Sequence, residues 1–175
     1  MVDFVGAGCG AKDLITIRGL KLIQQADVII YAGSLVNPEL LEYAKPGCEI
    51  HNSALMTLDE VISVMSAAES AGKRIVRLHT GDPSLYGAIR EQMSRLDGLG
   101  ISYAVCPGVS SFCGAAAALR AEYTLPAVSQ TVIITRMAGR TPVPERESIE
   151  SLAEHGSTMV IFLSTGMLEE LSARL

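Results

Sequence analysis

Short, nearly continuous apolar runs recur along the chain, each followed by small or turn-forming residues and then by apolar positions at helical spacing. Val2 to Val5 runs into Gly6-Ala7-Gly8-Cys9-Gly10-Ala11, after which Leu14, Ile17, Leu20 and Ile23 predict a helix with one buried face. Val28 to Tyr31 is a second strand, apolar throughout, as expected where both faces of a parallel sheet are covered. It ends in Ala32-Gly33-Ser34-Leu35-Val36; Asn37-Pro38 then opens a short helix through Tyr43, and Cys48 to His51 reads as a third strand. Thr57-Leu58-Asp59-Glu60 has the form of a capping box. Leu58, Val61, Ile62 and Met65 supply the buried stripe behind it, and Gly72 suits the position just past the helix end.

The next repeat is the sharpest. Ile75 to Leu78 meets His79-Thr80-Gly81-Asp82-Pro83, where glycine permits a tight turn, aspartate suits an N-cap and proline the first helical position. Leu85, Ile89, Met93 and Leu96 then predict a helix starting directly from Asp82-Pro83. Ile101 to Val105 is a further strand, broken by Cys106-Pro107-Gly108-Val109-Ser110-Ser111 before an alanine-rich helix from Phe112 to Arg120. Alternation of this kind indicates a parallel α/β sheet covered on both sides. The pattern then changes. Ala121 to Ser129 reads as a linker, Gln130 to Arg136 as a β-branched strand and Met137 to Glu145 as an irregular loop. A helix from Arg146 to Glu154, a strand from Met159 to Leu163 and a helix start at Met167 follow. The expected organisation is an amino-terminal α/β domain over 1–120, a linker over 121–129, and a second α/β domain over 130–175 with too few strands to close a sheet.

Composition narrows the function classes. Hydrophobic residues make up 49% and charged residues 19% of the 175, the profile of a packed globular chain. A net charge of −5 argues against a nucleic-acid surface, which needs clustered Lys and Arg. No apolar run is long enough for a membrane span. Cys9, Cys48, Cys106 and Cys113 form no close pair and His51, His79 and His155 are scattered, so reduced thiols are expected in a cytoplasmic protein, without a metal site.

Gly6-x-Gly8-x-x-Ala11 satisfies a loose dinucleotide fingerprint, but such a site also needs an acid at the end of the second strand. Asp27 precedes that strand, and its end reads Tyr31-Ala32-Gly33-Ser34. No Gly-Lys-Ser/Thr follows the glycines, which excludes a P-loop. Three small-residue openings therefore follow three strands: Gly6 to Gly10, Thr80 to Asp82, and Gly108 to Ser111. In an open α/β sheet all three could face one crevice, offering hydroxyls from Thr80, Ser110 and Ser111 and a carboxylate from Asp82, with glycines admitting a ligand to the backbone. Asp82 alone reads equally as a helix cap. His79, beside the crevice, reads as an imidazole satisfied by a nearby carbonyl. A nicotinamide-dependent oxidoreductase and a non-catalytic ligand-binding domain remain as alternatives.

Taken together, Val5-Gly6-Ala7-Gly8-Cys9-Gly10, Ala26 to Ser34, Thr80-Gly81-Asp82-Pro83 and Pro107-Gly108-Val109-Ser110-Ser111 resemble the tetrapyrrole methylase family. Tyr31 to Asn37, His79 to Ala88, Gln130 to Arg136 and Gly139-Arg140-Thr141-Pro142 are similar to its members that methylate a ring carbon in cobalamin biosynthesis. The resemblance implies two α/β domains with S-adenosylmethionine in the cleft between them, a tetrapyrrole substrate and a homodimer. It implies cofactor contacts at Cys9, Thr80, Gly81, Asp82, Leu85, Ser110, Ser111 and, in the second domain, Leu163. Cys9 stands where many members have proline and Thr80 where they have glycine, and the family pattern continues past Leu175. No catalytic base is implied. Arg136 and Arg140 are candidates, by position, for the substrate's carboxylates.

Overall fold

A computed structural model describes residues 1–139 and 141–175. They form two compact units, Met1–Ala115 and Ala116–Leu175. The first is built on five parallel strands: β1 (Val2–Gly6), β2 (Val28–Tyr31), β3 (Glu49–Asn52), β4 (Ile75–His79) and β5 (Tyr103–Cys106), in the order β3-β2-β4-β1-β5. Register pairs Gly6 with His79, Val5 with Cys106, and Tyr31 with both Leu78 and Asn52, so all five strands end along one edge.

Helices α1 (Ile17–Gln25), α2 (Leu58–Ser70) and α3 (Ile89–Gly98) cover the sheet. Strand alternation sorts the core into two layers. Val2, Phe4, Val28, Ile30 and Ile75 pack with Val61, Ile62 and Met65 of α2 and Leu96 of α3. Val5, Ile29, Val76 and Leu78 pack on the opposite face with Ile23 of α1 and with Val36 and Leu40. The α2 start is as expected: Thr57 Oγ1 accepts from Glu60 N while Glu60 Oε2 accepts from Thr57 N, and Gly72 follows the helix with φ +69°.

Three expectations need correction. The face of α1 is not Leu14-Ile17-Leu20-Ile23: Leu14 is exposed, Ile17 is 74% exposed, and the buried positions are Gly19, Ile23 and Ala26. A step of three falls about 60° short of a full helical turn, so a strict period of three spirals off the buried face. The helix itself begins only after Thr16, whose side chain accepts from Gly19 N. Pro38–Tyr43 is a 3₁₀ segment. Most consequentially, no helix starts at Asp82-Pro83: residues 82–88 form a loop, and α3 begins at Ile89.

The second unit pairs β6 (Val132–Arg136) and β7 (Thr158–Phe162) in parallel. It adds short helices α5 (Ile149–Ala153) and α6 (Leu168–Arg174), with α4 (Ser111–Leu119) running across the division between the units. Within 121–129, Leu125 bridges Ser129, Ser129 Oγ accepts from Thr158 N, and Tyr123 O accepts from Thr158 Oγ1, which fastens this stretch to β7.

The middle strand β4 is buried at all five positions, two of them polar. His79 is 4% exposed and stacks on Phe4 at 6.0 Å between ring centroids. Its Nε2 has no hydrogen-bond partner among the described residues, so the expected carbonyl is missing at that atom. Burial, reinforced by the Arg77 charge, pushes its pKa down to about 3. A base held neutral when folded binds fewer protons than when unfolded, so its contribution to stability falls as pH drops from 6.5 towards 3. Denaturant unfolding between pH 7 and pH 4.5 should show this loss, at up to about 1.4 kcal/mol per pH unit. His79→Leu should flatten that slope; an unchanged slope would assign the acid sensitivity to other groups.

Candidate functional site

The loops after β1, β4 and β5 lie side by side at the carboxyl edge because β1 is flanked by β4 and β5. They are fastened by backbone contact. Gly8 and Gly81 exchange hydrogen bonds in an isolated antiparallel bridge, with Gly81 N donating to Gly8 O at 3.0 Å and Gly8 N to Gly81 O at 3.3 Å. Ala7 N donates to His79 O at 2.7 Å. A Cβ on Gly6 would lie 2.6 Å from the Gly108 Cα and from the Gly81 carbonyl oxygen; one on Gly108 would lie 2.2 Å from that same oxygen. Side chains do not pack at such distances. The sequence suggested glycines that admit a ligand to the backbone. In the fold the missing Cβ atoms of Gly6 and Gly108 let three loops of the chain approach one another, while Gly81 takes the left-handed φ of 58° that its turn needs. Gly10 differs: its φ is +129° and open space surrounds the place of its missing Cβ.

Asp82 locks this junction. Oδ1 accepts from Ser84 N at 2.8 Å and from Ser84 Oγ at 2.5 Å, while Oδ2 accepts from Gly108 N at 2.9 Å. It therefore caps a turn within its own loop and ties that loop to the one after β5; it does not cap α3. Burial works to raise its pKa, but the bonds from the Ser84 side chain, Gly108 N and Ser84 N outweigh it and hold the carboxyl below its usual range. Leu85, half-buried, donates its amide to Asp82 O. Tyr86 and Ala88 take left-handed φ of 55° and 51° around Gly87, whose absent Cβ would meet Pro83 O at 2.3 Å. That backbone explains why the helix waits until Ile89.

Ser110 is buried, and its carbonyl accepts the amides of Cys113 and Gly114 as α4 begins. Its Cα would sit 3.5 Å from a Cβ on Gly81. Ser111 is exposed and Thr80 half-buried. Cys9 is half-buried, with Sγ 2.9 Å from where a Cβ on Gly114 would fall. Thus Cys9, Thr80, Gly81, Asp82, Leu85, Ser110 and Ser111 belong to one edge of the first unit. Leu163 lies in the second unit, directly after β7, at φ +57° and 63% exposed. Arg136 is committed to its own loop, donating to the carbonyls of Met137, Thr141 and Pro142; Arg140 lies outside the described residues.

Sequence reasoning missed Asn37, whose Nδ2 donates to Gly10 O at 2.9 Å and holds the first glycine loop. Its place before Pro38 signalled only a cap. Asp27 sits at the opposite edge of the sheet, where it accepts from Arg74 N and pairs with Lys45. The end of β2 thus offers no carboxylate for a dinucleotide ribose. Among the described residues no group of three or more His, Cys, Asp or Glu could hold a metal, and no helix is long and apolar enough to cross a membrane.

The carboxyl edge thus joins glycine-fastened loops, hydroxyls and open space beside Gly10, with no acid at the end of β2 to hold a dinucleotide ribose. The whole described pattern matches one family, Tetrapyrrole (Corrin/Porphyrin) Methylases, over residues 1–175, and the chain belongs to it. Among its relatives, the cobalt-precorrin-4 C(11)-methyltransferase of Methanocaldococcus jannaschii is 59% identical over 169 residues, covering 97% of this chain and 65% of that protein. The precorrin-4 C(11)-methyltransferase of Mycobacterium tuberculosis is 44% identical over 175 residues, covering 99% of this chain and 70% of that protein. An X-ray structure of a cobalamin biosynthetic enzyme, cobalt precorrin-4 methyltransferase, superposes with a TM-score of 0.95 at 48% identity, over 99% of this chain and 72% of that one. The chain thus spans about two thirds of the length of these relatives.

Two outcomes follow from the junction. Gly6→Ala forces a Cβ into backbone on two sides and should cost about 1–3 kcal/mol or more by denaturant unfolding, whereas Gly98→Ala, in α3 with open space around it, should stabilise by up to about 1 kcal/mol. Asp82→Asn keeps only one acceptor oxygen for bonds now shared by two, and should cost about 1–3 kcal/mol at neutral pH. Because the folded carboxyl is held below 3.8, its contribution is present above that pH and is lost as pH falls through the folded value. The gap between Asp82→Asn and the parent should accordingly narrow as pH is lowered from neutral through 3.8 and below; a gap independent of pH would show that the charge is immaterial.

Proposed function

We propose that this chain carries the S-adenosylmethionine site of a methyltransferase acting on carbon 11 of precorrin-4 or cobalt-precorrin-4 in cobalamin biosynthesis. The observation that carries the reading is the junction of three loops at the carboxyl edge, fastened through Gly6, Gly81 and Gly108. Family membership and the names of the relatives support the chemistry. Cys9, Thr80, Gly81, Ser111 and Leu85 would line the cofactor on the first unit. Ser110 and Asp82 act mainly by fixing the loops, Asp82 keeping lone-pair capacity for a ligand hydroxyl or ammonium. Bound S-adenosylmethionine supplies a methyl group that is already electrophilic. The residues of the chain bind and orient, and alignment of this kind can contribute about 7–11 kcal/mol to the barrier reduction. His79, buried and held neutral down to about pH 3, is a poor proton acceptor and is given no part as a base. The assembled enzyme would work as a cytoplasmic homodimer on a carboxylate-rich macrocycle.

Calorimetric titration with S-adenosylhomocysteine and, separately, with NAD tests the reading. Binding of S-adenosylhomocysteine without measurable NAD binding is expected. NAD binding with no response to S-adenosylhomocysteine would overturn it in favour of a nicotinamide enzyme, a reading that the placement of Asp27 at the far edge of the sheet disfavours.

A further inference from the structure

On the α2 and α3 side of the sheet, a pocket of about 150 Å³ is lined by Ser53, Thr57, Arg77 and Gln92 over Met56 and Val61. Arg77 comes from the central strand β4 and is 7% exposed. Its Nε donates to Gln92 Oε1 at 3.0 Å and its Nη1 to Ile30 O at 3.2 Å, with a longer contact to Leu78 O; Nη2 donates to none of the described residues. No carboxylate among the described residues pairs with it. Of the acids at the start of α2, Glu60 is turned to Thr57 N and Oγ1, and Asp59 pairs with Arg95. Gln92 also reaches Ala88 O through one of the two N–H groups of Nε2. Burial without a counter-charge lowers even this guanidinium's pKa, to about 10.

A buried cation is costly unless an anion and hydrogen bonds compensate it. Here the compensation is all neutral, and the one unused edge of the planar donor fork belongs to a side chain lining a pocket. Ser53 and Thr57 line the same space, but their hydroxyl protons go to Tyr31 O and Glu60 Oε2, which leaves the guanidinium as the donor facing it. At about 30 Å³ per water, the volume holds a small oxyanion and its remaining waters. Guanidinium forks match carboxylate and phosphate oxygens.

We propose that this pocket binds a small oxyanion, of phosphate or carboxylate chemistry, on the Arg77 guanidinium between Ser53, Thr57 and Gln92. The proposal stands apart from the cofactor reading, since none of these residues belongs to the glycine junction. Thermal unfolding of the full chain, titrated with sodium phosphate and separately with sodium acetate against chloride at matched ionic strength, tests it. Saturable stabilisation is expected, with affinity at least tenfold weaker in Arg77→Met. Gln92→Glu provides a variant that retains the buried pair: its carboxylate supplies the missing counter-charge internally, so the chain should stay folded while the anion response disappears. A response to phosphate alone marks a tetrahedral anion; a response to both salts marks a general oxyanion site that also takes the carboxylate end of a larger ligand. No saturable response to either salt, or one undiminished in both variants, overturns the proposal and leaves Arg77 a core residue satisfied by Gln92 and carbonyls.

Discussion

The close approach of three backbones at Gly6, Gly81 and Gly108 is the constraint on which the carboxyl edge depends. Any Cβ at Gly6 or Gly108 would enter space held by main-chain atoms of another loop. Because these side chains are missing, the Gly8–Gly81 bridge can close and Asp82 can reach Gly108 N. Hydrogen bonds then make the junction rigid. A ligand meeting such an edge meets donors and acceptors already in place, and little of its binding free energy is lost in ordering them.

The middle strand faces a different physical problem. β4 is covered on both faces, yet on the side of α2 and α3 it presents Ile75, Arg77 and His79 in succession. Both polar groups are driven towards neutrality by burial, by different amounts: the imidazole loses its charge across the physiological range, while the guanidinium keeps it. The Arg77 charge pushes the imidazole in the same direction as burial does. One face of the strand is therefore ordinary core and the other a polar strip beneath the loops.

Much of the fold could be read from local chemistry. β1, β2 and β4 were visible as largely apolar runs, because strands buried on both faces of a parallel sheet show little polar alternation; the edge strand β3, Glu49–Asn52, is exposed or half-buried and was marked only by its place between turns. Thr57 and Glu60 announced the start of α2 since a capping box is a contact within four residues. What escaped was set by contacts remote in sequence. A glycine after a strand says that some backbone approaches, and not whose. Asp82-Pro83 has the local chemistry of a helix start, but Asp82 turns to Ser84 and to Gly108, 26 residues away, while Tyr86 and Ala88 adopt left-handed backbone. The stripe proposed for α1 failed because its spacing counted residues without the rotation of the helix. Of the candidate site, the residues of the first unit were found together, but the division of labour between holding the loops and facing a ligand was invisible without coordinates.

The strand order has a consequence for how the molecule comes into being. β4 lies between β1 and β2, so these two strands, consecutive in the chain, have no ladder with each other. Val2–Gly6 finds its neighbours only when Ile75–His79 and Tyr103–Cys106 have been made. Pairings this distant along the chain are slow to form, and β1 with its glycine loop must wait in an unpaired state during synthesis. Until β4 slots between its neighbours, there is neither a closed core nor a Gly8–Gly81 bridge. Insertion of β4 thus joins β1 to β2 and brings the first two glycine loops together, with β5 still to add at the edge, so partly made chains lack the architecture that would let them capture a ligand prematurely.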